Sequence, residues 1–88
     1  QLAVLDPRNP EVRLHRATAL SAKRRDAEAE KEFSEAILLQ PRNPAAYKGL
    51  ALIRARRGDD EKARSAFEQV LKLDPEDQDA RRWLEKTG

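Results

Sequence analysis

The chain has 88 residues, of which 39% are hydrophobic and 39% are charged, so it suits one domain of thinly layered amphipathic helices rather than a deep core. Its 18 Lys and Arg residues nearly balance 16 Asp and Glu residues, and the net charge of +2 disfavours a dedicated nucleic-acid binder. The absence of Cys excludes disulfides and cysteine nucleophiles, and a single His disfavours histidine-based metal sites.

A 34-residue internal period organises the sequence. Pro7, Pro41 and Pro75 are spaced by 34 residues, and so are Pro10 and Pro44. Alignment of the two periods gives seven identities, mostly small residues, prolines and one aromatic residue. This pattern predicts a repeat protein built from helical hairpins. The predicted divisions are a tail over 1–9, a first repeat over 10–43, a second over 44–77 and a C-terminal helix within 78–88.

Each period begins with an Asn–Pro pair that is typical of a helix start. Asn9 and Asn43 are favourable N-cap residues, and the proline after each lacks the N–H that a first turn leaves unpaired. We expect first helices over roughly 11–23 and 45–57. Gly58 is expected to end the second of these in the left-handed conformation.

A second helix is predicted in each period, over roughly 27–39 and 61–73. Asp26 is the predicted N-cap of the first, and Asp59 or Asp60 that of the second. Each helix carries an apolar stripe at a spacing of three to four residues, as one buried face requires. The stripes are Ala29, Phe33, Ala36 and Ile37, and then Ala63, Phe67, Val70 and Leu71.

These residues resemble the tetratricopeptide repeat, a 34-residue helix–turn–helix unit. The second copy carries the family's pattern at Tyr47, Leu50, Ala51, Gly58, Ala63, Phe67, Val70 and Pro75. The first copy fits from Ala17 onward, but Arg13 and Arg16 replace large apolar residues and Arg24 replaces a glycine. The resemblance implies an all-α fold, with antiparallel helical hairpins stacked as a right-handed solenoid. Gln1–Asp6 then resembles the end of an upstream helix, and residues 78–86 a terminal helix.

The sequence contains no pattern that predicts an enzyme. Its three glycines form no phosphate-binding loop, and His15 is the only imidazole. Neighbouring carboxylates, such as Glu28 with Glu32, are best interpreted as solvated helix faces. We therefore predict no catalytic residue, no cofactor and no metal, and no apolar run is long enough to span a membrane.

The resemblance implies that the first helices line a concave groove that binds a partner protein. Apolar anchors and cations mix along this groove, which favours a peptide or helix of acidic character. A glycine at position 49 would let a ligand backbone approach. For Trp83, packing against the second repeat or against a downstream repeat is favoured over ligand contact. The predicted partner-binding residues are Leu14, His15, Thr18, Lys48, Gly49, Leu52, Arg56, Arg82 and Trp83.

Two basic clusters have two interpretations. They are Lys23-Arg24-Arg25 and the group Arg54, Arg56 and Arg57. The favoured interpretation is that cations stabilise the negative ends of helices. The alternative is contact with an acidic partner or a nucleic acid, but no interleaved aromatic residues support stacking on single strands.

Two further hypotheses concern binding. The first is self-association into a homo-oligomer through exposed apolar faces around Leu2, Val4 and Leu5, or around Ala80 and Leu84. The second is the clamp with which some family members hold the carboxylate end of chaperone peptides. Its five positions fall here on Leu14, Thr18, Gly49, Asp79 and Trp83, which lack its Lys, Asn and Arg side chains. The sequence thus predicts that chaperone tails are not the ligand.

Overall fold

A computed structural model describes residues 9–87, which form five α-helices and no strand. The helices are α1 Pro10–Ala22, α2 Asp26–Leu39, α3 Pro44–Arg56, α4 Asp60–Leu73 and α5 Gln78–Thr87. Packing is most extensive within the hairpins α1–α2 and α3–α4; α2 then packs on α3, and α5 on α4. This confirms the predicted all-α helical-repeat architecture. The helix end predicted over Gln1–Asp6 lies outside the described residues.

The Asn–Pro pairs begin α1 and α3 as predicted. The side-chain oxygen of Asn9 accepts a hydrogen bond from the Glu11 N–H at 2.9 Å, and Asn43 accepts one from Ala45 at the same distance. Each of these caps satisfies one backbone N–H that the first turn of a helix leaves unpaired. The local sequence therefore sets both starting points.

The caps of the second helices differ from the prediction at α2. Asp26 does not cap this helix: the N-cap is Arg25, which makes no side-chain capping bond, and Asp26 is the first helical residue. The Asp26 carboxylate instead pairs with Arg56 of α3. In α4 the cap is Asp59 rather than Asp60, and it accepts a hydrogen bond from the Lys62 N–H at 3.2 Å.

The turns inside the two hairpins share one backbone geometry although their residues differ. Gly58 has φ +85°, as predicted, and Arg24 occupies the equivalent place with φ +64°. The left-handed region suits glycine, whereas the Cβ of another residue is crowded there. Arg24 therefore adopts the conformation for which the repeat pattern has glycine, because the hairpin needs it to close.

Alanine and phenylalanine form the centre of both hairpins. Ala17, Ala29, Ala51 and Ala63 have no exposed surface, so helix backbones approach closely at these four points. Phe33 belongs to a buried cluster with residues of α1 and α3, and Phe67 to a second cluster with residues of α3, α4 and α5. Both phenylalanines thus pack between neighbouring helices, in the buried stripes that the sequence predicts.

The arginines that replace apolar residues in α1 make ion pairs with α2. Arg13 pairs with Glu32 at 3.1 Å and also with Glu35, and Arg16 lies 4.0 Å from Glu32. Charge pairing thus supplements apolar packing on this side of the first hairpin. Leu38 nearby is 80% exposed.

Candidate functional site

The first helices α1 and α3 enclose a groove of about 540 Å³. Apolar atoms from three helices line it: Leu14 of α1, the ring of Phe33 of α2, and Leu52 of α3. Leu52 is 49% exposed, and with Leu14 it forms one apolar patch in the groove. The groove brings together six of the nine predicted partner-binding residues, namely Leu14, Thr18, Lys48, Gly49, Leu52 and Arg56.

Gly49 is explained by a contact inside the protein. A Cβ atom at this position would lie 2.3–2.7 Å from three atoms of the Phe33 ring, which no real side chain tolerates. The neighbour that needs this space is Phe33, so a contact inside the protein accounts for the glycine. The approach of a ligand backbone at Gly49 stays a prediction. Gly49 allows the ring to lie against α3 and line the groove.

Lys48 stands in the groove but is already paired with carboxylates. Its Nζ lies 3.1 Å from Asp77 and 2.8 Å from Asp79, both at the start of α5. The hydrogen bond to Asp79, with further help from Asp77, raises the pKa of Lys48 above 10.5, although partial burial opposes the rise. Lys48 thus links α3 to the start of α5 through two ion pairs. Its predicted position in the groove gave no indication of this structural role.

Asp77 has a second task at the same place. Its carboxylate accepts a hydrogen bond from the Ala80 N–H at 2.9 Å, which places a cap at the start of α5. This bond is the largest cause that lowers the pKa of Asp77 below 3.8; burial opposes it, and Lys48 adds to it. The ionised form of Asp77 is therefore the one that the folded protein favours.

The predicted basic cluster at the end of α3 forms ion pairs with α2. Arg54 and Arg57 both pair with Glu30, at 2.9 and 3.0 Å, and Arg56 pairs with Asp26. Arg56 also reaches the backbone and hydroxyl oxygens of Ser21. These arginines hold the two hairpins together, so the interpretation as simple helix-end cations is incomplete.

The other three predicted residues lie outside the groove. The ring of Trp83 stacks on Phe67 with centroids 4.9 Å apart, as part of the packing between α5 and α4. His15 lines a separate shallow pocket with Asn9, Glu11 and Val12. Arg82 is exposed on α5.

Phe33 and Arg24 also line the groove. The sequence pattern predicts a core position for Phe33 and a basic turn for Arg24, and neither prediction includes the groove. Arg24 stands at the position where the repeat pattern has glycine. This departure from the repeat pattern could have indicated a groove residue, because a large side chain at this position extends from the turn to the end of the groove.

Comparison with known proteins identifies the family. Residues 14–77 match the tetratricopeptide repeat model, and the chain belongs to this family. Its domains are protein-interaction modules, and proteins are the partners that they bind. The sequence matches no curated protein. Among residues 9–87, no helix has both the length and the apolar character needed to cross a membrane.

Two solved structures show the same fold. One is the first TPR of Spaghetti (RPAP3) bound to the HSP90 peptide SRMEEVD, and the other is the NMR structure of the first TPR domain of human RPAP3. Each has a TM-score of 0.86 and 31% identity over 92% of this chain. The chain spans 64% of the length of either neighbour.

Proposed function

We propose that this chain is a non-enzymatic scaffold or adaptor module that binds a peptide or helix of a partner protein in the groove between α1 and α3. The observation that supports this most is the half-exposed Leu52, which stands beside Leu14 and Phe33 in a concave, largely apolar surface. The groove has a volume of about 540 Å³, which is in the range of ligand-binding clefts, roughly 300–1,000 Å³.

Binding follows from removal of apolar surface from water. Complete burial of a leucine is worth about 1.5–3 kcal/mol, so covering the exposed half of Leu52 contributes about 1 kcal/mol. The half-buried Leu14 extends the same surface, whereas Phe33, which is only 4% exposed, borders it. Charged groups at the two ends of the groove select the partner by charge complementarity.

The nature of the ligand differs from that of the structural neighbour. The Spaghetti domain was solved with an HSP90 peptide. Here the clamp positions carry Leu14, Thr18, Gly49, Asp79 and Trp83. Asp79 has the wrong charge for an acidic tail, and Trp83 is engaged by Phe67. These residues support a partner other than a chaperone tail.

One of the two surfaces proposed for self-association, the one around Ala80 and Leu84 on α5, is not an exposed apolar face. Ala80 is fully buried and Leu84 is partly buried against α4, so the expectation that they form an exposed apolar face is wrong. Leu2, Val4 and Leu5 lie outside the described residues. We therefore favour the groove over stacking between copies through α5.

The test compares two leucine substitutions. The protein carrying Leu52→Glu is used as bait in source-cell lysate beside the wild type and Leu38→Glu, with quantitative mass spectrometry of retained proteins. Leu38→Glu makes the same chemical change at an exposed leucine outside the groove. A protein retained by the wild type and by Leu38→Glu, but lost with Leu52→Glu, supports the proposal. Equal retention by all three baits contradicts it.

A further inference from the structure

The groove is charged unequally at its two ends. At the end formed by the last turns of α1 and α3, Arg56 is neutralised by Asp26. Arg24 lines the same end, and within residues 9–86 no carboxylate forms an ion pair with it. This end therefore keeps one positive charge.

At the opposite end, at the start of α5, the cluster of Lys48, Asp77 and Asp79 carries one net negative charge. Lys48 is shared by Asp77 and Asp79, so two carboxylates face one ammonium group. The Asp77 side chain is only 11% exposed, whereas that of Asp79 is 59% exposed. Asp79 is thus the carboxylate that an incoming cation can reach.

The two ends are separated by a short apolar stretch. Lys48 and Arg56 are eight residues apart on α3, which corresponds to about 12 Å along the helix axis. Between them lie Leu52 and, from α1 and α2, Leu14 and Phe33. An extended peptide covers about 12 Å with about four residues.

We infer that the groove takes a short dipolar segment of a partner protein, with a basic residue facing Asp79, a large apolar side chain over Leu52, and a carboxylate facing Arg24. The inference rests on the proposed function and narrows it. The segment is not an acidic run, because two of the three cations that line the groove, Lys48 and Arg56, already have carboxylate partners. Arg24 is the groove-lining cation that forms no ion pair within residues 9–86. The basic and acidic residues stand about four positions apart if the segment is extended.

Charge complementarity also sets the orientation. A segment bound the other way places its carboxylate against Asp79 and its cation against Arg24, and like charges in contact are unfavourable. A nucleic acid is opposed by the same arrangement, since its phosphates would meet Asp79. Arg24 is therefore the specificity-determining residue of the groove, and Leu52 its anchor.

The probe is a library of random 12-residue peptides displayed on phage. Selection on the wild-type protein is expected to enrich a basic residue, a large apolar residue and an acidic residue in a fixed order within about five positions. Enrichment of acidic runs, or of apolar peptides with no charge pattern, overturns the inference. Recovery of no binder at all, or of binders unaffected by Leu52→Glu, overturns the proposed groove function as well.

A charge exchange then tests Arg24 directly. The strongest selected peptide is synthesised with a fluorescent label, and its Kd is measured by anisotropy. Arg24→Gly is expected to weaken binding about threefold to fivefold, in keeping with one exposed ion pair. Arg24→Glu is expected to weaken it about tenfold, and a peptide with Lys in place of its acidic residue should regain affinity for Arg24→Glu.

Lys31→Ala on the exposed side of α2 is the matched control for loss of one positive charge, and it should leave the Kd unchanged. Circular dichroism of each variant shows that the fold is retained. If Leu52→Glu abolishes binding while both Arg24 variants bind like the wild type, the groove function stands and the dipolar specificity is wrong. Loss of affinity with Lys31→Ala equal to that with Arg24→Gly also overturns the assignment of Arg24.

Discussion

The ring of Phe33 lies against Gly49 so closely that a Cβ atom at position 49 would be 2.3 Å from its Cζ. One repeat later, 34 residues on, Phe67 meets Trp83, and these two rings stack 4.9 Å apart. Phe33 and Phe67 occupy the same position in the two repeats, as do Gly49 and Trp83 in the helices that follow. The phenylalanine of the first repeat thus packs on a glycine, and that of the second on an aromatic ring. Both rings are buried, but Phe33 also borders the groove, whereas Phe67 is covered by Trp83.

Gly49→Ala is expected to destabilise the protein by about 1–3 kcal/mol, because the added methyl group overpacks the Phe33 ring. The measurement is urea unfolding followed by circular dichroism. The cost should fall in a Phe33→Leu background, since the clash is with the far end of the ring, and this non-additivity identifies the contact. Equal costs in both backgrounds would show that Gly49 has another role.

Arg24→Gly is expected to stabilise the protein by about 1 kcal/mol, because glycine adopts φ +64° without the crowding that a Cβ causes. Thermal unfolding is the measurement. Lys23→Gly is the control, since Lys23 has φ −88° and gains nothing from glycine. A loss of stability in Arg24→Gly would mean that the arginine side chain contributes more than its backbone strain costs.

Trp83→Ala is expected to lower the free energy of unfolding by about 2–3 kcal/mol, below the range for a fully buried tryptophan because this side chain is half-buried. Loss of the stack on Phe67 adds to the loss of apolar contact. Trp83→Phe keeps an aromatic ring and should recover more than half of that energy. Urea unfolding by circular dichroism distinguishes the variants, and equal stability of both would contradict the role of the stack.

The attachment of α5 is expected to depend on pH at both extremes. The folded-state pKa of Asp77 is lowered from 3.8. Its contribution to the free energy of unfolding is therefore present above pH 3.8 and is lost as the pH falls through the folded-state pKa. The folded-state pKa of Lys48 is raised from 10.5, so its contribution is complete below 10.5 and is lost as the pH rises through the folded value. Between these limits the pair should hold α5 without a pH dependence of its own.

Asp77→Asn separates the two tasks of this residue. Asparagine keeps the capping oxygen, as Asn9 and Asn43 do in α1 and α3, but it has no charge for Lys48. The free energy of unfolding of this variant should be lower than that of the wild type by about 1 kcal/mol or less at neutral pH. Trp83 fluorescence during urea unfolding measures the free energy of unfolding of both proteins. The difference between wild type and variant should shrink as the pH falls below 3.8 and vanish below the folded-state pKa of Asp77. An unchanged difference at acidic pH would mean that Asp77 does not titrate in this way.

Much of the fold was predictable because it depends on local, periodic signals. The Asn–Pro starts at Asn9 and Asn43, the left-handed Gly58 and the buried stripes with Phe33 and Phe67 each follow from residues within one helix or turn. The structure confirms all of them. The one wrong cap is Asp26, which is the first helical residue and whose carboxylate pairs with Arg56 of α3, 30 residues further along the chain.

The sequence by itself determined the period, the five helices and their inward faces, since spacing along a chain is enough to define a helical stripe. Only the tertiary structure decided which charges remain open in the groove. Lys48 and Arg56 have the same sign as Arg24, but carboxylates brought in from α5 and α2 neutralise the first two. Pairing of this kind depends on distances between helices that are remote in the chain, and neither composition nor spacing contains that information.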